Sequence, residues 1–144
     1  MEAKLKKAHG KSEPKETETP WLGSHVLVLK QNGLVALKDI LQMNGVVVPF
    51  FQCEGQQLHA FRATVVDALN REASELWIMP KTDRVIAIEK PVFRLEAIGD
   101  RDLFRVMLPE APCTSPIYVS ERFVERYRKK KLRGLEFHEV QALE

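Results

Sequence analysis

The sequence predicts a single α+β domain built on a mainly antiparallel sheet of short strands, with two or three helices. Short alternating or β-branched segments follow one another through turns rich in Gly, Pro, Asp and Asn, which is typical of antiparallel pairing. Helical patterns occur only at scattered positions between these segments, which argues against a doubly wound parallel sheet. The chain has 144 residues, 44% of them hydrophobic, which is enough for one hydrophobic core.

The first 20 residues differ from the rest in composition. They contain five lysines, four glutamates and two prolines, with few apolar side chains. Such a segment buries too little surface to offset the entropy of ordering. We therefore predict a flexible arm over residues 1–20 and one folded domain over residues 21–144. A helix over residues 3–9 is the alternative within the arm, although it is short for its own stability.

The first half of the folded part predicts one helix among strands. Leu34, Leu37 and Leu41 recur at three- and four-residue spacing, and Asn44-Gly45 is a suitable helix stop. A strand is predicted at residues 25–30, and residues 46–52 and 58–62 are predicted to form the two strands of a hairpin. Residues 64–70 are predicted to form a short helical turn capped by Thr64.

The second half predicts one further helix. Ser120 is a suitable N-cap, Phe123, Val124 and Tyr127 form an apolar stripe, and Gly134 follows a helix end near residue 132. Six strands are predicted at residues 75–79, 85–89, 92–95, 103–108, 117–119 and 135–140.

The net charge limits the class of partner that the protein is expected to bind, and the cysteine content indicates the cellular compartment. The 22 basic and 20 acidic residues give a net charge of +2, which argues against nucleic acid as the main partner. Cys53 and Cys113 lie far apart, and two free thiols in a reducing compartment are favoured over one disulfide. The N-terminus lacks the apolar run of a signal peptide, and no stretch is long enough to cross a bilayer. We predict a cytoplasmic protein that does not contact membranes.

No pattern in the sequence predicts a catalytic, metal or cofactor site. The four histidines never recur at helical spacing, and the seven glycines are scattered, so zinc-ligand and phosphate-loop motifs are lacking. One enzyme hypothesis remains, a Cys53–His59 pair across the predicted hairpin. A half-buried thiol is the commoner reason for such a cysteine. We therefore predict a protein that is not an enzyme.

A run of basic residues in the last predicted helix is the most pronounced feature of the charge distribution. Seven basic residues lie between Ser120 and Gly134. A solvated helix face is the commoner explanation of such a run. The functional interpretation is a positive patch that steers an acidic partner, and the alternative is a nucleic-acid-binding or regulatory domain that uses helix 120–133. The candidate partner-binding residues are Arg122, Arg126, Lys129 and Lys130. Trp21 and Trp77 are candidate core or interface anchors.

An ordered series of segments resembles a known family. The segments are residues 36–41, 64–69, 92–96, 103–106, 117–125 and 132–137. Their order, from about Leu29 to Val140, resembles a family of bacterial immunity proteins from polymorphic toxin systems, of the myxobacterial type. The arm and the basic stretch 126–131 are not part of that pattern. The resemblance implies tight, stoichiometric binding to a cognate toxin made by the same cell, and it implies no catalytic residues.

Overall fold

The α+β prediction is confirmed by a computed structural model that describes residues 5–10, 26–53, 55–82, 84–108, 115–132 and 134–140. In order along the chain, the elements are β1 (Leu5–Gly10), β2 (Leu27–Leu29), α1 (Gln31–Asn44), β3 (Gly45–Cys53), β4 (Gln56–Ala63), β5 (Val65–Val66), β6 (Glu75–Ile78), β7 (Val85–Lys90), α2 (Leu95–Ile98), β8 (Leu103–Val106), β9 (Tyr118–Ser120), α3 (Glu121–Lys129) and β10 (Leu135–Val140).

The strands form three small sheets. The largest has five strands in the order β10-β1-β9-β8-β5, and β5 pairs with β8 in parallel while the other pairs are antiparallel. A second sheet has the order β2-β4-β3, with the predicted β3–β4 hairpin, and β6 and β7 form a two-stranded ribbon. The predominance of antiparallel neighbours agrees with the turn chemistry of the sequence.

The five-stranded sheet separates two hydrophobic cores. Successive side chains of a strand point to opposite faces, so Leu103 and Phe104 of β8 enter different cores. The helix-side core combines Leu103 with α1, α3 and the second sheet. The ribbon-side core combines Phe104 with Phe93, Tyr118 and the β6–β7 ribbon. Both faces of the central sheet are therefore covered.

The predicted end of the first helix is confirmed at Asn44. The Asn44 Nδ2 donates to the Ile40 carbonyl at 2.7 Å, and its Oδ1 accepts from the Asp102 N–H at 2.9 Å. A Cβ on Gly45 would meet the Arg62 carbonyl and come within 2.8 Å of the Phe61 ring. Only glycine therefore allows the chain to leave the helix and enter β3 at this point.

The last helix begins as predicted and ends slightly earlier. The Ser120 Oγ accepts the Phe123 N–H at 3.2 Å, which confirms the N-cap. The helix ends at Lys129, and Lys131 has a φ of 56°, so its backbone is left-handed. The Leu132 N–H donates to the Tyr127 carbonyl at 3.2 Å, which closes the helix with a Schellman motif. Lys131, rather than Gly134, therefore terminates α3.

Residues 5–10 differ from the flexible arm and from the helix over 3–9 that their composition predicts. They form β1, which lies between β9 and β10 and pairs with β10 over all six residues. Backbone hydrogen bonds to two neighbouring strands replace the apolar burial that this segment lacks. Residues 11–20 lie outside the described residues, so the domain boundary at residue 20 stays a prediction.

Two further element predictions are wrong. Residues 64–70 form β5 and a bridge instead of a helical turn, since the Thr64 Oγ1 donates to the Asn44 carbonyl at 3.2 Å. Residues 92–95 form no strand: Phe93 makes an isolated bridge with Leu69, and Leu95 opens α2. In both places contacts between distant segments override the local pattern.

Candidate partner-binding surface

The surface of α3 divides into an apolar and a basic face. Phe123, Val124 and Tyr127 are buried in the helix-side core, as their spacing predicts. Arg126 is half buried, and the other basic side chains of the helix point into solvent. Arg126, Arg128 and Lys129 lie in the last turn, where cations interact favourably with the helix dipole.

Two of the four predicted partner-binding residues form ion pairs within the protein. The Arg122 Nε lies 3.0 Å from Asp102 Oδ1, and its Nη2 donates to the Asp100 carbonyl at 2.9 Å. The Arg126 Nη1 lies 2.8 Å from Asp39 Oδ1 on α1. This hydrogen bond from Arg126 lowers the pKa of the Asp39 carboxyl below its ordinary value. Both arginines therefore help to dock α3 onto its neighbours.

The other two predicted residues lie at the C-terminal end of the helix. Lys129 and Lys130 are exposed and lie between Arg128 and Lys131, which are exposed as well. Within the described part of the chain, none of these four side chains forms an ion pair. We call residues 128–131 the cationic tip. Among the described residues its charge has no ion-pair partner, unlike that of Arg122 and Arg126.

The cationic tip adjoins the last strand of the five-stranded sheet. An open pocket of about 420 Å³ lies between α3 and β10, lined by Tyr127, Arg128, Leu132, Leu135, Glu136, Phe137 and His138. The Phe137 ring meets the Tyr127 ring edge-on, with centroids 5.2 Å apart. Sequence reasoning did not connect β10 with the basic helix, although the alternation of residues 135–140 predicts a strand that follows it directly.

Trp77, one of the two predicted anchors, does not belong to the core. It lies on β6 with 57% of its surface exposed, and its neighbours Ile78 and Met79 are exposed as well. Trp21 lies outside the described residues. Trp77 therefore remains an interface candidate on the ribbon, on the other side of the central sheet from α3.

The strand register separates the two members of the Cys53–His59 hypothesis. Cys53 pairs with Gln56, whereas His59 pairs with Pro49, three positions further along β4 and roughly 10 Å away at the usual strand rise. Cys113 lies outside the described residues. In the described segments, no three His, Cys, Asp or Glu side chains are grouped so that they could hold a metal ion. None of the helices described here has the length and apolar character to cross a membrane.

Fold and surface together define a sheet-dominated α+β domain with a cationic helix end beside an edge strand. The sequence pattern of the Immunity protein family (Imm11) matches residues 58–142, more than half of the chain, and the chain belongs to this family. The matched region runs from β4 through α3 and β10, and therefore includes the cationic tip. A comparison with curated proteins found no match. The family resemblance stated from the segments is confirmed.

Proposed function

We propose that this protein is an immunity protein that binds and neutralises a cognate bacterial toxin by stoichiometric protein–protein contact in the cytoplasm. Membership of the immunity family carries the proposal. The bound protein covers the toxin's active site or blocks the path of its substrate. The protein itself supplies binding and no catalysis.

The cationic tip is the part of the predicted surface best suited to attract an acidic toxin. Lys129 and Lys130 have no carboxylate to neutralise them among the described residues, and Arg128 and Lys131 add to their field. Clustered charges of one sign raise the rate of encounter more than they change the final affinity. Arg122 and Arg126 would contribute through the parts of their guanidinium groups that remain exposed.

The partner itself is tested by a pull-down from the native cell with the protein tagged at its C-terminus, followed by mass spectrometry. The expected result is one stoichiometric partner that stops growth when it is expressed alone and is tolerated when this protein is co-expressed. Recovery of nucleic acid alone, or a partner without toxicity, would refute the proposal.

The placement on α3 is tested by charge reversal. Lys129→Glu combined with Lys130→Glu should slow association with the recovered toxin about tenfold or more at low salt, with a smaller effect on dissociation. Lys81→Glu combined with Lys90→Glu, two exposed lysines of the β6–β7 ribbon, is the control with the same change in net charge. Equal association rates for the two variants would remove the cationic tip from the interface.

Nucleic-acid binding through helix 120–133 is the second candidate. The four cations of the tip that lack ion pairs among the described residues favour it. Phosphate contacts are strongest at low salt and weaken steeply as salt rises. Titration of the pure protein with duplex DNA at low and high salt therefore separates the two functions, and an absence of binding at low salt excludes this one.

A further inference from the structure

The last strand, β10, has one partner among the described strands. It lies at the end of the five-stranded sheet and pairs only with β1. An edge strand of this kind presents a row of backbone N–H and C=O groups to whatever lies beside it. The direction of each group follows from the hydrogen bonds of the neighbouring strands.

Alternation across the sheet identifies the outward-facing groups of β10. The Ser120 N–H donates to the Asp102 carbonyl on the β8 side, so the backbone groups of Val119 point to Lys6 on β1. The groups of Lys7 then point to its partner His138 on β10. In β10 itself, the groups of Phe137 therefore point away from β1.

A hydrogen bond at the start of β10 gives the same direction independently. The Leu135 N–H donates to the Tyr127 hydroxyl at 3.1 Å, so it points to α3 and away from β1. Residues 137 and 139 follow at steps of two and share this direction. Leu135 is thus occupied by the protein itself, and Phe137 and Glu139 form the open edge. The described residues provide no hydrogen-bond partner for their outward N–H groups.

The open edge lies beside the pocket and the cationic tip. Arg128 and Phe137 line the same pocket, so a chain that pairs with β10 would also contact the end of α3. The edge carries the carboxylates Glu136 and Glu139, and His138 Nε2 lies 3.8 Å from Glu136 Oε2. The four cations of the cationic tip outnumber these two carboxylates, so this area carries a net positive charge. A positive area favours an acidic occupant.

The same charges argue against a second copy of this chain as the occupant. Pairing of two β10 strands would bring two areas of net positive charge into one interface, and like charges across an interface are unfavourable. A dimer held by one short strand pair would also bury less area than a stable dimer needs. An acidic, extended segment of another protein avoids both problems.

We propose that an extended acidic segment of the toxin adds to the open edge of β10 as a sixth strand. Its backbone bonds to Phe137 and Glu139, and its acidic side chains on the α3 side lie against Arg128 and Lys130. Strand addition obtains affinity from main-chain hydrogen bonds and specificity from alternate side chains. The inference rests on the proposed function and names the binding mode of that function.

The test uses the full chain and a synthetic hexapeptide of alternating glutamate and valine with blocked ends. Amide hydrogen exchange, resolved by residue with NMR, should slow at Phe137 and Glu139 when the peptide is present. A peptide with lysine in place of glutamate should give no such protection. Absence of protection at β10 with millimolar acidic peptide, or equal protection by both peptides, would overturn the proposal.

Two pairs of variants separate the backbone contribution from the charge contribution. Glu139→Pro removes an outward N–H and keeps the pairing with β1, so it should weaken peptide binding about tenfold relative to Glu139→Ala, which keeps the N–H. Arg128→Gln combined with Lys130→Gln should weaken it more than Lys81→Gln combined with Lys90→Gln, which removes the same charge from the ribbon. If each variant bound like its control, or if dimerisation through β10 protected the same amides without peptide, the proposal would fail.

Failure of this inference is distinguishable from failure of the proposed function. If the wild-type chain and Glu139→Pro protected cells from the recovered toxin equally well, the proposed immunity function would stand and strand addition would be rejected. A wild-type chain that protects against no recovered partner would reject the function itself, whatever the peptide results.

Discussion

Single residues at the ends of α3 determine where the helix begins and ends. Ser120 is the N-cap and Lys131 directly follows the C-cap, Lys130, but only Ser120 has a side chain suited to its place. Its hydroxyl accepts the Phe123 N–H, whereas Lys131 adopts a φ of 56° that β-carbon-bearing residues rarely adopt. The left-handed backbone costs non-glycine residues free energy, so α3 carries local strain at its cationic end.

Replacement of Lys131 by glycine should relieve that strain. We expect Lys131→Gly to raise the free energy of unfolding by about 0.5–1 kcal/mol, measured by urea denaturation. Lys131→Ala removes the same charge but keeps a Cβ, and it should give little of this gain. If both variants changed stability equally, the effect would come from the charge and not from the backbone.

The Asp39–Arg126 ion pair should make stability depend on pH in acid. The folded-state pKa of Asp39 is lowered from its ordinary value of 3.8, chiefly by the hydrogen bond from Arg126. The pair therefore stabilises the protein above about pH 3.8 and loses its effect as the pH falls through the lowered pKa.

Urea denaturation at neutral and acid pH tests this expectation. Asp39→Asn should have a lower midpoint than the wild type at pH 7, and the difference should disappear at a pH well below 3.8. Asp100→Asn, an exposed carboxyl without an ion pair to Arg126, is the control. A difference that persisted in acid would mean that Asp39 acts through something other than its charge.

At the scale of elements, the main departure from the sequence prediction is β1. Its residues have the composition of a disordered segment, yet they join β9 to β10 within the largest sheet. Without β1, the edge strand would lose its only described partner in that sheet. The N-terminal residues therefore hold the proposed binding edge in place.

Proline at residue 6 distinguishes a strand from a flexible arm. The Lys6 N–H points to Val119 of β9, so Lys6→Pro should remove that hydrogen bond and leave a carbonyl without its partner, at a cost of about 1–3 kcal/mol. Lys6→Ala keeps the N–H and loses the side chain with its packing and its 3.8 Å ion pair to Glu121. Chemical denaturation of both variants is the measurement. If they were equally stable, residues 5–10 would behave as the arm that their composition predicts.

At the scale of the whole molecule, one sheet links the two hydrophobic cores. Phe123 belongs to the helix-side core and Phe104 to the ribbon-side core, and both are fully buried. Adjacent residues of β8 and of β9 point into different cores, so neither core can open without disturbing the strands that support the other. The described part of the chain should therefore unfold as one unit.

Truncation of an aromatic ring in either core tests this linkage. Phe104→Ala and Phe123→Ala should each lower the free energy of unfolding by about 3–5 kcal/mol. Tryptophan fluorescence and circular dichroism should report the same single transition in each variant. Val35→Ala, at a site that is 66% exposed, should change stability little. Two separate transitions would show that the cores are independent.

Local sequence patterns are sufficient to predict the elements whose buried residues recur at the spacing of their own helix or strand. The three- and four-residue spacing of leucines predicts α1, and the Ser120 cap and the apolar stripe predict α3. Turn residues between strand-like segments predict the hairpins, and alternation predicts β10. These signals are local because each element buries its own apolar face. The ordered segments also predicted the immunity family, which the match over residues 58–142 shows.

Tertiary structure alone decided the features that depend on distant partners. The composition of residues 5–10 contains no sign of the two strands that pair with them, since backbone hydrogen bonds require no particular side chain. The basic pattern of α3 could not tell Arg126, paired with Asp39 of α1, from Lys130, which has no ion pair among the described residues. The open edge of β10 likewise arises from the order of strands in the sheet, and strand order is set by contacts across the whole chain.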